Sequence, residues 1–311
     1  MALPGSTETL TMGAFAPSPG LVAGMRRGFF ARHGVDLVME HVPSSEEQFR
    51  GFAEGRWDVL QTALDNVVNY RFNGSTELGR TLDVQADFAL DLGMELTAVG
   101  ARDIETVQDV RGGRVGVDAA DSGYAYVLYW MLEQDGLAPG RDYQVVSLGG
   151  VAERYAGMVG PTPAASATLL SNGFEALARQ QGLRHLGTED KLPGPYVGCV
   201  AAYRGTWYRN NQDLAQRFRA GYEDALSWVF HPSNRQQAVR LVAQARRLNE
   251  KDAAVVLDAE LGRWGVARET KIQEDAAVAV FRLREHYGGF DAGGLPDAGQ
   301  LAGLWVEGEP K

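Results

Sequence analysis

Residues 113–132 read GRVGVDAADSGYAYVLYWML and constrain the fold more than any other stretch. Residues 114–118 form a short apolar, valine-bearing run after Gly112 and Gly113, the pattern of a buried strand. A turn follows, with Ser122 as a candidate N-cap. From Tyr124 onward, Val127, Leu128, Met131 and Leu132 fall at helical spacing, and Gly136 supplies a stop. A strand that turns directly into a helix is a building unit of α/β folds. The first helical turn carries Ser122, Gly123 and Tyr124. Its free N–H groups and dipole suit an anion or a polar ligand group, and Gly123 permits close backbone approach. The same turn is equally at home as a plain structural cap.

The rhythm runs through most of the chain. Strands are expected at 9–15, 35–41 and 58–62, with helices at 21–30, 44–55 and 67–72. Ser44 and Glu47 have capping-box spacing. This alternation predicts a parallel sheet with helices on its faces. Strands at 80–89 and 95–100 follow. The alternation then restarts, with strands at 114–118, 144–148, 165–170 and 183–187 and helices at 124–135, 152–159 and 174–180. Two such modules in succession predict two similar lobes. After a strand at 197–203 the chain turns helical, at 214–230, 235–246, 252–261 and 276–287. These helices should pack outside a lobe already formed. The Gly-, Asp- and Pro-rich tail from Gly288 is expected to end loosely.

Composition narrows the function. A length of 311 residues suits two α/β domains. The net charge of −10 argues against nucleic acid and against an anionic membrane surface. Cys199 is the single cysteine, so no internal disulfide or Cys-rich metal site can form, and its apolar strand suits a buried, inert thiol. No apolar run approaches the roughly 18 residues that cross a bilayer. The N-terminus lacks the basic and apolar regions of a signal peptide. The expected location is periplasmic or extracytoplasmic if a leader was trimmed, and cytoplasmic otherwise. His33, His41, His185, His231 and His286 stand at no metal-ligand spacing. P-loop, nucleophile-elbow, zincin and dinucleotide-binding motifs are absent from the sequence. No metal, cofactor or catalytic residue is therefore expected, and whether the chain is an enzyme stays open.

In wound α/β sheets, ligands bind beyond the carboxyl ends of the strands. Ser18, Asp65, Asn66, Asp91, Ser122, Tyr124, Arg154, Asn172 and Phe174 fall at such ends, with Gly149, Gly150 and Ser171, while Tyr196 precedes the strand at 197–203. If the two lobes face each other, these sets meet in one cleft. Each has a plainer reading: Asp65 and Ser122 as helix caps, Asp91 as a turn residue, Arg154 as a solvated helix residue, Phe174 as core.

Several segments resemble the solute-binding proteins of ABC importers, in the branch that includes nitrate, alkanesulfonate, taurine and pyrimidine-precursor binders. They are GFFARHGVDLVME at 28–40, FAEGRWDVLQTALDNVVNY at 52–70, GGRVGVDAADSGYAYVLYWMLEQDGL at 112–137, SLGGVAERYAGM at 147–158, LLSNGFEALA at 169–178 and SWVFHPSNRQQAVRLVA at 227–243. The resemblance implies the type II periplasmic-binding-protein fold: two Rossmann-like α/β lobes with mixed sheets and a two-crossover hinge near 92–98 and 196–203. Lobe I would comprise 1–93 plus 200–311, including extra C-terminal helices that return to it. Lobe II would be 94–199. It implies capture of a small polar organic solute by lobe closure, with a permease and an ATPase as partners. Carried onto matching positions, the pocket draws on Ser18, Asp65, Asn66, Asp91, Ser122, Gly123, Tyr124, Asn172, Phe174 and Tyr196. Helix N-termini at 122–124 and 150–154 would hold an anionic or strongly polar group. Asp65 and Asp91 would accept hydrogen bonds or pair with a cation, and Tyr124, Phe174 and Tyr196 would stack on an apolar or aromatic body.

The sequence also departs from the family. The strand before 171–174 reads PTPAASATLL, without the acidic residue usual there. The alternative is a cytoplasmic enzyme on the same scaffold, a decarboxylase, lyase or pyrimidine-precursor synthase. The cysteine-rich motif of the synthase group, and the cysteine near the first strand of the sulfinate-removing group, are both missing.

Overall fold

The computed structural model describes residues 7–272, 274–290, 296 and 298–306. Ten strands form two sheets. The first contains β1 (Glu8–Ala14), β2 (Val35–His41), β3 (Val59–Ala63), β4 (Val84–Ala89) and the last strand of the set, β10 (Cys199–Arg204), in the order β2-β1-β3-β10-β4. The second contains β5 (Thr97–Gly100), β6 (Arg114–Val117), β7 (Gln144–Ser147), β8 (Ala167–Leu170) and β9 (Arg184–Thr188), in the order β7-β6-β8-β5-β9.

The alternation predicts parallel strands, and β1 with β2 and β3, and β6 with β7 and β8, are parallel. The exceptions are β10, antiparallel to β3 and β4, and β5, antiparallel to β8 and β9. These are the first strands after the chain crosses from one sheet to the other, so each enters its sheet against the running direction. The architecture is therefore α/β with two mixed sheets and C-terminal helices, as the resemblance implies.

The crossings lie side by side. The Leu90 N–H donates to the Cys199 carbonyl at 2.9 Å. A third segment joins them: Leu92 donates to the Gly265 carbonyl at 2.8 Å, Ala267 to the Leu90 carbonyl at 3.2 Å, and Asp91 bridges Val266 antiparallel. Two crossings were expected, and the loop after the helix Glu250–Glu260 stiffens them.

The C-terminal helices also do more than cover the first sheet. Val239, Val242, Ala253, Val256 and Leu257 from helices Arg235–Arg246 and Glu250–Glu260 share a core with Ala23 beside the first sheet and Leu177 beside the second. The helix Glu274–His286 packs on both Leu64–Phe72 and Gly123–Glu133. The helix expected at 21–30 is two helices, Pro19–Arg26 and Phe29–Arg32, separated at Gly28, whose φ of 70° no continuous helix accommodates. The tail is anchored where it is described. Ala86 donates to the Leu304 carbonyl at 2.8 Å and Val306 to the Ala86 carbonyl at 3.0 Å, while 307–311 lie outside the described residues. No helix among the described residues is long and apolar enough to cross a membrane.

Candidate functional site

The carboxyl ends of β1, β3, β6 and β8 meet at a seam between the sheets, and the seam has two ends and a middle. At one end Asp65, in the first turn of the helix Leu64–Phe72, faces the start of the helix Gly123–Glu133. The approach is so close that a Cβ on Gly123 would lie 2.2 Å from the Asp65 carboxyl carbon. Gly123 does allow close backbone approach, and what approaches is the protein's own carboxylate. Asp65 is held by Arg284: Nε donates to Oδ1 at 2.6 Å and Nη2 to Oδ2 at 2.8 Å. Both side chains are only 3% exposed. Arg284 Nη1 donates to Asn69 Oδ1 at 3.0 Å and to the Gly289 carbonyl at 2.9 Å, and the guanidinium lies 5.5 Å from the Tyr126 ring centre. Burial works against the charge on Arg284, but Asp65 outweighs it and holds the guanidinium pKa above its usual value. The planar fork matches the carboxylate on both oxygens, which makes this a lock rather than a free acceptor.

In the middle, Asp91 clamps the crossings. Its Oδ1 accepts from the N–H groups of Gly93 at 2.9 Å and Gly198 at 3.1 Å, and its Oδ2 from that of Cys199 at 2.8 Å. Burial pushes its carboxyl up to about 7, opposed by these three N–H bonds. Above it the Tyr124 hydroxyl lies 3.9 Å from both Met94 Sδ and Cys199 Sγ. Burial raises the Tyr124 and Tyr196 phenols and the Cys199 thiol well above their usual values, so all three are neutral groups. Cys199 is accordingly a thiol rather than a nucleophile.

At the other end, Ser18 caps the helix Pro19–Arg26. Its Oγ accepts from the Leu21 N–H at 3.3 Å and lies 3.4 Å from the Tyr222 hydroxyl. Opposite, Asn172 takes a left-handed φ of 55° and leads into the helix Phe174–Gln180, with Phe174 tilted on Tyr155 at 5.4 Å. Arg246 joins the two sides. It donates to the Asn172 carbonyl at 2.8 Å, to the Pro17 carbonyl at 3.5 Å and to Glu260 Oε1 at 2.5 Å. Glu260 and Glu175 are buried, and each has an Oε2 with no hydrogen-bond partner among the described residues. Burial pushes Glu175 up to about 8, the backbone N–H groups of Glu175 and Gly173 oppose the rise, and Glu260 and Glu95 add to it. Burial also raises Glu260, against the pull of Arg246.

The sequence-predicted residues divide on this geometry. Ser18, Asp65, Asp91, Gly123, Tyr124, Asn172 and Tyr196 come together along the seam. Ser122 caps its helix as expected, and its hydroxyl accepts from the Ala125 N–H at 3.1 Å and spends its one donor on Asp118 Oδ1 at 2.6 Å. Asn66 points into its own lobe, donating to Ser45 Oγ at 3.0 Å and Thr62 Oγ1 at 3.1 Å. Arg154 is neither solvated nor free: it is buried and donates to the carbonyls of Leu169 at 3.1 Å and Gly149 at 2.7 Å. The anion expected at 122–124 meets Asp65 already lodged there. Arg246, Glu260, Glu175 and Arg284 were missed. Three of them betray themselves in sequence, because each ends an apolar stripe at helical spacing: Val239, Val242, Ala243, Arg246; Ala253, Val256, Leu257, Glu260; Ala277, Val280, Phe281, Arg284. Among the described residues no group of three His, Cys, Asp or Glu side chains is placed to hold a metal.

Known proteins share this fold. The aliphatic sulphonate-binding protein SsuA of Escherichia coli matches with a TM-score of 0.72 and 18% identity, over 91% of this chain and 92% of that one. The nitrate-binding protein NrtA of Synechocystis PCC 6803 matches with a TM-score of 0.73 and 14% identity, over 96% and 85%. The ligand-binding component of an ABC-type import system from Staphylococcus aureus matches with a TM-score of 0.72 and 16% identity, over 97% of each chain. These likenesses establish the fold. No curated protein sequence matches the chain. The family model described as "NMT1/THI5 like" matches residues 18–235. That span is well over half of the sequence, and the chain belongs to the NMT1/THI5-like family.

Proposed function

We propose that this chain is the solute-binding component of an ABC importer and that it captures a small polar organic molecule at the seam. The observation that carries the reading is the seam itself. Polar groups from the strand ends of both sheets converge where the chain crosses twice between them. Family membership supports it, as do the roles printed for the structural neighbours, which bind sulphonates or nitrate or serve ABC-type import. In this reading lobe I is 1–93 plus 200–311 and lobe II is 94–199. Ser18, Asp91, Gly123, Tyr124, Asn172, Phe174 and Tyr196 line the pocket, and Asp65 shapes it through Arg284. The partners are a permease and an ATPase, and the periplasmic neighbours support an extracytoplasmic location.

Native mass spectrometry of the purified protein, before and after unfolding and refolding, tests the reading. The expected result is a retained small molecule that rebinds with unchanged mass. A molecule returned with a different mass would mean turnover, and an enzyme on this scaffold would replace the receptor.

A further inference from the structure

We propose that the Glu175–Glu260 end of the seam binds a cationic nitrogen of the solute, an ammonium or amidinium group. The inference rests on the receptor reading and adds the chemical class of the ligand. Glu175 is 9% exposed and Glu260 is 5% exposed, yet Oε2 of each lacks a partner. A buried carboxylate oxygen without a donor is costly, and the helices Phe174–Gln180 and Glu250–Glu260 that carry these two pack on each other. Arg246 shows that the place accepts a nitrogen cation, since its guanidinium already satisfies Glu260 Oε1 at 2.5 Å.

Charge points the same way. Glu175 faces Glu260 and Glu95. Glu95 Oε1 accepts from a neutral N–H, that of Trp264 at 2.8 Å, and among the described residues Arg246 is the one cation hydrogen-bonded to any of these three acids. The packed helix Val151–Val159 brings Arg154, which is spent on backbone carbonyls, and Tyr155, whose phenol burial keeps neutral. β5 brings no charge. One further positive group completes the balance. The demand is for hydrogen-bond donors, and no metal-holding group of three side chains exists among the described residues, so a nitrogen cation fits better than a metal ion.

Arg246 ties Pro17, after β1, to Asn172, after β8, across the seam. Arg246 and Arg284 are each already paired with a carboxylate, Glu260 and Asp65, so neither is left for an oxoanion. With the site empty, the raised Glu175 carboxyl holds a proton in place of the cation, so binding exchanges cation for proton.

The test uses benzamidinium and n-butylammonium chlorides against sodium methanesulfonate and nitrate at equal ionic strength. Thermal unfolding and calorimetry in two buffers of different ionisation enthalpy are measured on the wild type and on Glu175→Gln and Glu260→Gln. The cations should raise the wild-type Tm by a few degrees and release up to one proton per molecule bound at pH 7. Glu175→Gln should bind them at least tenfold more weakly and release no proton. Glu260→Gln strips Arg246 of its partner and is the riskier fold, so Glu175→Gln decides. A shift with the anions only, no shift with any probe, or wild-type affinity in Glu175→Gln would overturn the proposal. The receptor reading falls separately, by the mass comparison above: an anion found bound would sink the cation site and leave the receptor standing.

Discussion

The two ends of the seam carry the same ingredients and use them differently. Each has an arginine from a C-terminal helix, Arg284 at one and Arg246 at the other, and each arginine meets a buried carboxylate. At the Asp65 end both carboxylate oxygens are paired and a helix N-terminus closes on them. At the Glu260 end one oxygen is paired, one is not, and a second acid stands by with its own oxygen unmet. The difference separates a structural lock from a place with capacity left for a ligand. A charge in a cleft says little until its partners are counted.

The lock predicts the largest effect. Arg284→Ala leaves Asp65 buried without a counter-ion, and the expected cost is about 3–5 kcal/mol of stability. Pairing Asp65→Leu with Arg284→Met should recover most of it, because replacing both charges removes the desolvation cost along with the attraction. Urea unfolding of the two variants reads this directly. Equal losses in the single and double variants would mean that Asp65 and Arg284 do not act as a pair.

Gly123→Ala sharpens the contrast next. The new methyl meets the Asp65 carboxyl group, so the lobes must part or the helix must shift, at an expected cost of about 1–3 kcal/mol. Small-angle scattering should show a larger radius of gyration for this variant than for the wild type. Unchanged compactness and stability would remove the close contact.

The smallest effect belongs to the open end and depends on pH. Glu175 has its folded carboxyl raised to about 8, so the proton it holds stabilises the fold fully below the ordinary carboxyl range. That stability is lost as pH rises through 8, by about 1.4 kcal/mol between pH 7 and 9. Glu175→Gln should flatten the stability profile over this window. Asp91, raised to about 7, contributes a slope of the same sign at lower pH that the variant leaves in place.

Much of this molecule was legible in its sequence, for reasons that remain local. Period-two and period-3.6 patterns located β2 at 35–41 and a helix from 124, one residue after its start at Gly123, and Ser44 accepts from the Glu47 N–H as its spacing predicts. Direction within a sheet is not local. Nothing in VGCVAAY marks β10 as antiparallel, because its orientation follows from which sheet the chain has just left. The site was half legible for the same reason. Asp65 reads as a cleft carboxylate by its position after β3, while its partner lies 219 residues away. Arg284, Arg246 and Glu260 were visible as charges ending apolar stripes, which says that each is buried but not against what.

Hydrogen exchange with and without benzamidinium tests the distinction between the two ends most directly. The account predicts slowed exchange at 171–177 and 260–266, with residues 65–72 unchanged. Protection confined to 65–72, or no change at either end, would contradict it.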